Sequence, residues 1–401
     1  MAIVFNGTTV VADNQLLGSD ALRLNGSYIE LHKQDGTVES VDISVNSRLE
    51  INRAIAASNP PLTRDELITM IANGDDVRFA NVSEITDMTS MFHGSQFNQD
   101  ISAWDVSSAT NMGFMFYNSP FNQDISGWDV SSVTNMNNMF YNSPFNQDIS
   151  NWDVSSVTDM GVMFQQSQFN QDISNWDVSS ATNMGGMFYG SYFNQDISGW
   201  DVSSVVSMGQ MFYNSQQFNQ DISGWDVSSV ADMNYMFYNS PFNQDISGWD
   251  VSSVTDMYQM FEQSQFNQDI SNWDVSSVAD MRYMFQSSQF NQDISNWDVS
   301  SVTRIYGMFA FSPFNQDISN WDVSSVADMG GMFSYSQFNQ DISNWDVSGV
   351  TDMYQMFRNS QFNQDISNWD VSSVTSCSDF RTDSALECVN TPALDTTCTG
   401  C

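Results

Sequence analysis

Basic residues are almost missing from this chain. Its 401 residues include 10 Lys and Arg against 48 Asp and Glu, a formal charge of −38, and Lys33 is the single lysine. Holding a phosphate backbone takes clustered Lys and Arg, so a nucleic-acid surface is excluded and no nucleic acid is expected among the partners. Histidine is as sparse. His32 and His93 both lie outside the full repeats described below, and a lone histidine is more often incidental than catalytic. No nucleophile elbow, phosphate loop or zinc-protease helix occurs, so the chain is not expected to be an enzyme. No apolar run reaches the ~20 residues that cross a bilayer, which argues against membrane insertion. The opening residues, Met1 to Gly7, place no basic residue ahead of a sustained apolar stretch, so a classical secretory signal is not expected.

Cysteine is confined to one end: Cys377, Cys388, Cys398 and Cys401 all follow the last full repeat. That grouping points to a disulfide-containing cap in an oxidising setting, with three connectivities open. A zinc site is the alternative, because Cys398 and Cys401 have a metal-like spacing, but no histidine is near. Redox chemistry by the same pair lacks the strand and helix pattern that such motifs sit in.

What the chain has in place of these features is one 24-residue unit written twelve times between Phe97 and about Ser376. The register runs from Phe97 to Phe362, with one 25-residue step where Gln217 is inserted. All 12 tryptophans fall seven residues after those phenylalanines, and 23 of the 25 methionines fall in a Met-x-x-Met-Phe element such as Met112-Gly-Phe-Met115-Phe116. Arrays of this kind grow by stacking, each unit against its neighbours, so the predicted fold is a repeat solenoid. Residues 1–60 read as a small β module for attachment or assembly, from Asn6-Gly7 and Asp35-Gly36 between β-favouring runs. Residues 61–96 read as a capping helix and a transitional half repeat; Thr63 and Glu66 make a capping box and Gly74 a stop. Residues 97–376 are the array, and 377–401 the cysteine-containing cap.

Inside the unit the apolar positions Phe362, Ile366, Trp369, Val371 and Val374 follow neither a helical nor a strand period. Only Trp-Asp-Val alternates, which predicts a short parallel strand there, with each Trp about 4.8 Å from the next. The phrases Ile366-x-x-Trp369-x-Val371-x-x-Val374 and Met353-x-x-Met356-Phe357-x-x-Ser360 resemble the repeat of the BspA-like leucine-rich-repeat surface proteins. That resemblance implies a curved leucine-rich-repeat solenoid with short parallel β-strands, a cell-surface location and a role in adhesion or host interaction. It also implies that Trp104 and its eleven equivalents lie on the strand and the Met-Phe pair on the convex side.

Outward from such a strand would point Asp105, Asp129, Asp153, Asp177, Asp201, Asp226, Asp250, Asp274, Asp298, Asp322, Asp346 and Asp370. Stacked about 4.8 Å apart, neighbouring carboxylates repel by roughly 1 kcal/mol in water. Relief is expected from bound calcium, which takes six to eight oxygen ligands, from a basic partner surface, or from hydrogen bonds to nearby Ser hydroxyls and amides. The second ladder, Asp100 to Asp365, follows Asn and Gln in a turn, where Asp caps backbone amides. Asn98 and its equivalents read as an internal amide ladder.

Copies differ mainly between the two methionines and just after Met-Phe. Tyr117, Tyr141, Tyr189, Tyr213, Tyr238, Tyr258, Tyr283 and Tyr354 fall there, a stripe suited to binding because tyrosine gives contact area at low entropy cost. The function expected is that of a non-enzymatic structural or adhesive protein, displayed extracellularly on a cell or virion. Its partners would be other protein chains, by self-assembly or as a surface receptor, or glycans. The alternative is a calcium-dependent module binding a glycan or protein through the Asp column and Tyr stripe, with Ca2+ as the one cofactor considered.

Overall fold

The computed structural model describes residues 45–394 and 398 and, ahead of them, five strand segments. The turns at Asn6-Gly7 and Asp35-Gly36, and Cys401, lie outside the described residues. The chain divides into two compact units, Met1–Ile85 with Gln99–Ser108, and Thr86–Asn98 with Ala109–Cys401.

In the first unit, β1 (Ile3–Phe5) pairs antiparallel with β2 (Thr8–Val11), and β3 (Ala21–Asn25), β4 (Tyr28–His32) and β5 (Val38–Asp42) form an antiparallel meander. Two helices follow. The segment read as the end of a β module is helix α1 (Val45–Ser58); its Ala, Leu, Arg and Glu content favours helix, a signal that the neighbouring β-type runs obscured. Helix α2 (Arg64–Asn73) has both halves of the expected capping box: the Glu66 amide donates to Thr63 Oγ1 at 3.3 Å and the Thr63 amide to Glu66 Oε2 at 2.8 Å. It stops at Gly74, which takes the left-handed conformation, φ 76°. Leu67 is the buried anchor of α2. Trp104 closes this unit, its indole donating to the Val77 carbonyl at 2.8 Å.

The second unit is a stack of 24-residue coils joined by parallel backbone bridges, one per coil, from Asp87 through Asn111 and onward to Ser376. The bridges do not fall where the sequence placed a strand. They run through the residue before the first methionine, and the hydrogen bonds continue along Met-x-x-Met-Phe. In one coil the amides of Met257, Gln259, Phe261 and Gln263 donate to the carbonyls of Asp280, Arg282, Met284 and Gln286 of the next, at 2.8–3.0 Å. Between these, the amides of Met260, Glu262 and Ser264 turn back to Met257, Gln259 and Phe261 of their own coil at 3.2 Å. Such a path alternates outgoing bonds with tight turns, and it requires two left-handed residues per coil; Gln259 and Gln263 have φ 55° and 56°. That conformation is why none of this stretch is a multi-residue strand among the described residues, and why Asn, which tolerates it, recurs at Asn118, Asn142, Asn214, Asn239 and Asn359.

The opposite wall bonds in the other direction. The Trp273 indole donates to the Ile246 carbonyl of the preceding coil at 3.1 Å, and the Asn267 amide to Asn243 Oδ1 at 2.8 Å. Gln268 Nε2 reaches the Asn243 carbonyl at 3.1 Å, so the Asn positions do form an internal amide ladder. Between the two walls, Phe, Ile, Trp, Val and both Met positions are almost wholly buried in coil after coil. The single inserted residue, Gln217, is absorbed in a turn in which the Phe218 amide donates to the Ser215 carbonyl at 3.2 Å.

Distances between equivalent rings in successive coils reveal how this unit bends. Tyr213 and Tyr238, outside the ladder, are 4.5 Å apart; Phe261 and Phe285, just beneath it, are 5.7 Å apart. Phe266 and Phe290, deeper, are 6.3 Å apart, and Trp249 and Trp273 6.5 Å. Spacing that widens steadily from ladder to Trp means that the stack curves with the ladder inside. The tryptophans are therefore neither on the parallel bridges nor 4.8 Å apart, and the Met-Phe element lies on the concave side, not the convex one. The wide Trp and paired Phe rings fill the longer outer arc, where small residues would leave voids.

At its end the second unit is covered by its own tail. Phe380, buried, takes the place of the second Met, the Ile366 amide donates to the Asn390 carbonyl at 3.0 Å, and Cys377 is joined to Cys398. Cys388 is also disulfide-bonded. No helix among the described residues is long and apolar enough to cross a membrane.

Candidate functional site

Two sets of exposed side chains recur along the array, and the structure gives them different tasks. The first is the acidic ladder. Asp129, Asp153, Asp177, Asp226, Asp274 and Asp298 are exposed, and each carboxylate bends back to its own loop: Oδ1 accepts from the hydroxyl of the Ser two residues on at 2.6 Å and from that residue's amide at 3.1 Å. Asp201, Asp322 and Asp346 in the second unit and Asp105 in the first do the same, and Asp250 and Asp370 accept from the Ser252 and Ser372 amides at 3.0 Å. These bonds hold the carboxyls of Asp129, Asp153, Asp177 and Asp226 below their ordinary range. Where a neighbouring carboxylate raises a member of the column, as Asp129 does Asp153, it is the smallest of the influences. Each loop thus supplies hydrogen bonds to its own member of the column. Asp124, Asp148 and the rest of the second ladder accept from Ser amides in the same way at 2.9–3.0 Å. Among the described residues no group of three His, Cys, Asp or Glu is placed to hold a metal ion.

The second set lies on the concave ladder face, where the variable positions converge. Directly after Met-Phe, Tyr117 and Tyr141 stack at 4.3 Å with His93 beyond them at 4.6 Å; Tyr189, Tyr213 and Tyr238 form a second pile at 4.3 and 4.5 Å. Gln165 separates the two piles in sequence, and Gln263 Nε2 donates to the Tyr238 hydroxyl at 2.9 Å. Tyr258, Tyr283 and Tyr354 are not in those piles. Tyr258 and Tyr283 meet edge to face at 6.1 Å, while Tyr354 stands two coils beyond Tyr306 in the column next to the first methionine.

Sequence reasoning missed several residues of this face. Tyr235 packs edge-on to Tyr258 at 4.9 Å and Tyr306 to Tyr283 at 5.1 Å. Burial pushes the Tyr283 phenol up to about 12 and raises that of Tyr235. Arg282 lies 4.8 Å over the Tyr258 ring and bonds Asp280 at 2.6 Å, with Arg304 3.5 Å from the same carboxylate. Burial, ahead of the neighbouring charges, raises the carboxyls of Asp256 and Asp328, and burial likewise raises Glu262, which accepts from Gln259 and Gln263. Phe311 and Tyr335 stack at 4.5 Å while remaining 53% and 43% exposed. The available signal was positional: both stand where five other copies carry Asn.

The regularity of the coil is shared beyond this chain. A family described as "Mycoplasma protein of unknown function, DUF285" matches residues 66–168, 143–241, 225–312 and 297–388. The chain belongs to the DUF285 family. The overlapping matches run from α2 to the cysteine tail, so the DUF285 pattern spans the ladder, the Trp wall and the covered end alike. No curated protein matches the chain, and no solved structure does.

Proposed function

We propose that this DUF285 protein is a non-enzymatic adhesive module displayed outside the cell or on a virion, and that the concave ladder face makes its contacts with a protein or glycan surface. The observation that carries the reading is where the copies differ. The core positions repeat almost unchanged and the Phe-Asn-Gln-Asp-Ile-Ser and Trp-Asp-Val-Ser phrases unchanged, whereas the widest variation falls on the ladder's solvent side, where aromatic side chains gather into stacked piles. Rigid aromatics with hydroxyl tips, such as Tyr189, Tyr213 and Tyr238, suit recognition because few rotatable bonds must be frozen on binding. The acidic ladder, engaged with its own serines, serves solubility and repels acidic partners. The resemblance to BspA-like leucine-rich-repeat surface proteins supports the same reading.

The test is binding of the full-length chain to immobilised extracellular proteins, glycans and intact cells, with calcium and with chelator. Changing Tyr189, Tyr213 and Tyr238 together to Ser is expected to lower binding at least tenfold, with the thermal midpoint showing that the fold persists. Binding that survives the triple change, or no surface binding at all, would sink the reading; loss of binding on chelation alone would transfer it to the calcium-dependent alternative.

A further inference from the structure

On the ladder face Phe311, stacked on Tyr335, keeps 53% of its surface exposed. Phe311 and Tyr335 are parallel to within 9° and stacked along the direction in which coils succeed one another. The ladder places Ser287 beside them as the next member of the same column, since its amide donates to the Ala310 carbonyl at 2.9 Å and that of Phe311 to the Ser334 carbonyl at 2.9 Å. A pile of two rings thus ends at an exposed serine, one coil short of a third ring. The pile is fixed by the backbone as well as by stacking, because Ser287, Phe311 and Tyr335 all hold φ 56°. Around the gap stand Gln286 and, one coil further on, Gln263, both at least partly exposed.

We propose that this gap over Ser287 takes one pyranose ring of an uncharged glycan, packed on the face of Phe311. The inference rests on the reading of the ladder face as a binding surface and adds a ligand class and a site to it. A sugar ring has an apolar C–H face that packs on an aromatic ring and a rim of hydroxyls. The Gln286 amide offers such hydroxyls a donor and an acceptor, and Gln263, whose Nε2 donates to the Tyr238 hydroxyl and to Glu262, offers its acceptor oxygen. The charge decides which sugars: with 31 Asp and Glu against three Arg over residues 97–376 and Glu262 beside Gln263, uronic and sialic acids are repelled. The two rings are too small a patch for a protein interface, which normally buries about 800 Å² per partner.

The test uses the full-length chain with cellohexaose and mannohexaose as uncharged probes and a hexamer of galacturonic acid as the acidic one, by calorimetric titration. At least one uncharged hexasaccharide is expected to bind, and Phe311→Ser to weaken it at least tenfold. Ser287→Phe, which supplies the third ring in a backbone conformation that Phe311 already adopts, is expected to block binding equally. Phe311→Tyr is expected to keep it, which separates a lost platform from a lost fold. No binding of either uncharged probe, binding that survives Ser287→Phe, or preference for the acidic hexamer would overturn the assignment. If the hexasaccharides fail while the triple tyrosine change still abolishes surface binding, the adhesive reading stands and the sugar site falls. Should Phe311→Ser abolish surface binding with no sugar bound, the ring pair serves a protein and this assignment falls.

Discussion

At Gly330 an added Cβ would lie 2.6 Å from the ring of Tyr306, and at Gly307 2.6 Å from that of Tyr283. The tyrosine of one coil rests on the bare backbone of the next, so ring and glycine are one contact written in two coils. Gly330→Ala is expected to destabilise the protein by about 1–3 kcal/mol through overpacking, and Tyr306→Ala in the same chain to restore most of it. Chemical denaturation checks this, and additive losses in the double variant would refute the contact. The carboxylates set a second residue-scale expectation. Native pKa values of Asp129, Asp153 and Asp177 are depressed by their serines. The stability they contribute is therefore complete above the ordinary carboxylate range and lost as pH falls through the lowered values. Asp256, Asp328 and Glu262 are raised by burial and act oppositely, costing stability above their raised values and ceasing to as they protonate. The depressed carboxylates are the more numerous, so the thermal midpoint is expected to drop below about pH 4. A midpoint that holds or rises in acid would contradict it.

The ladder is the element on which the coil depends, and its unusual backbone leaves one costly position. Val162 holds φ 61°, a conformation that strains a β-branched side chain by roughly 1–2 kcal/mol. Val162→Asn is expected to stabilise by about 1 kcal/mol, readable as a higher denaturation midpoint, and an unchanged or lower one would show that burial of the valine outweighs its strain. The same backbone explains what the sequence disclosed. The period, the buried Phe, Ile, Trp, Val and Met positions, the α2 caps and the Asn ladder were all legible, because each is a side-chain preference repeated in register. The ladder's location was not. Strand alternation exists because β residues turn their side chains to opposite faces; a path with a left-handed residue every fourth position has no such period. Trp-Asp-Val, which does alternate, drew the strand to the wrong wall. Of the site, most of the tyrosine stripe was legible as variation between copies, whereas Phe311 and Tyr335 required knowing which variable positions share a column.

Across the whole molecule, stability is a matter of neighbours. Each coil of the second unit is bonded forward through the ladder and backward through Trp and Asn to its neighbours. Cys377–Cys398 closes a segment with sequence separation 21, so Cys377→Ser is expected to cost about 3 kcal/mol. The cost should be local: amide exchange is expected to quicken around Phe380 and the coil from Met353, with protection near Phe261 unchanged. Uniform loss along the array would show a cooperative unit longer than nearest-neighbour bonding supports. A chain bonded in this way also has a mechanical character. Pulled by its ends, the stack has no single yield point, because each coil resists with the same ladder and the same indole bond as the one before it. It should pay out in even steps of roughly 80 Å, the contour length of one 24-residue turn, which makes it a reel that lengthens under load while its remaining coils keep their grip.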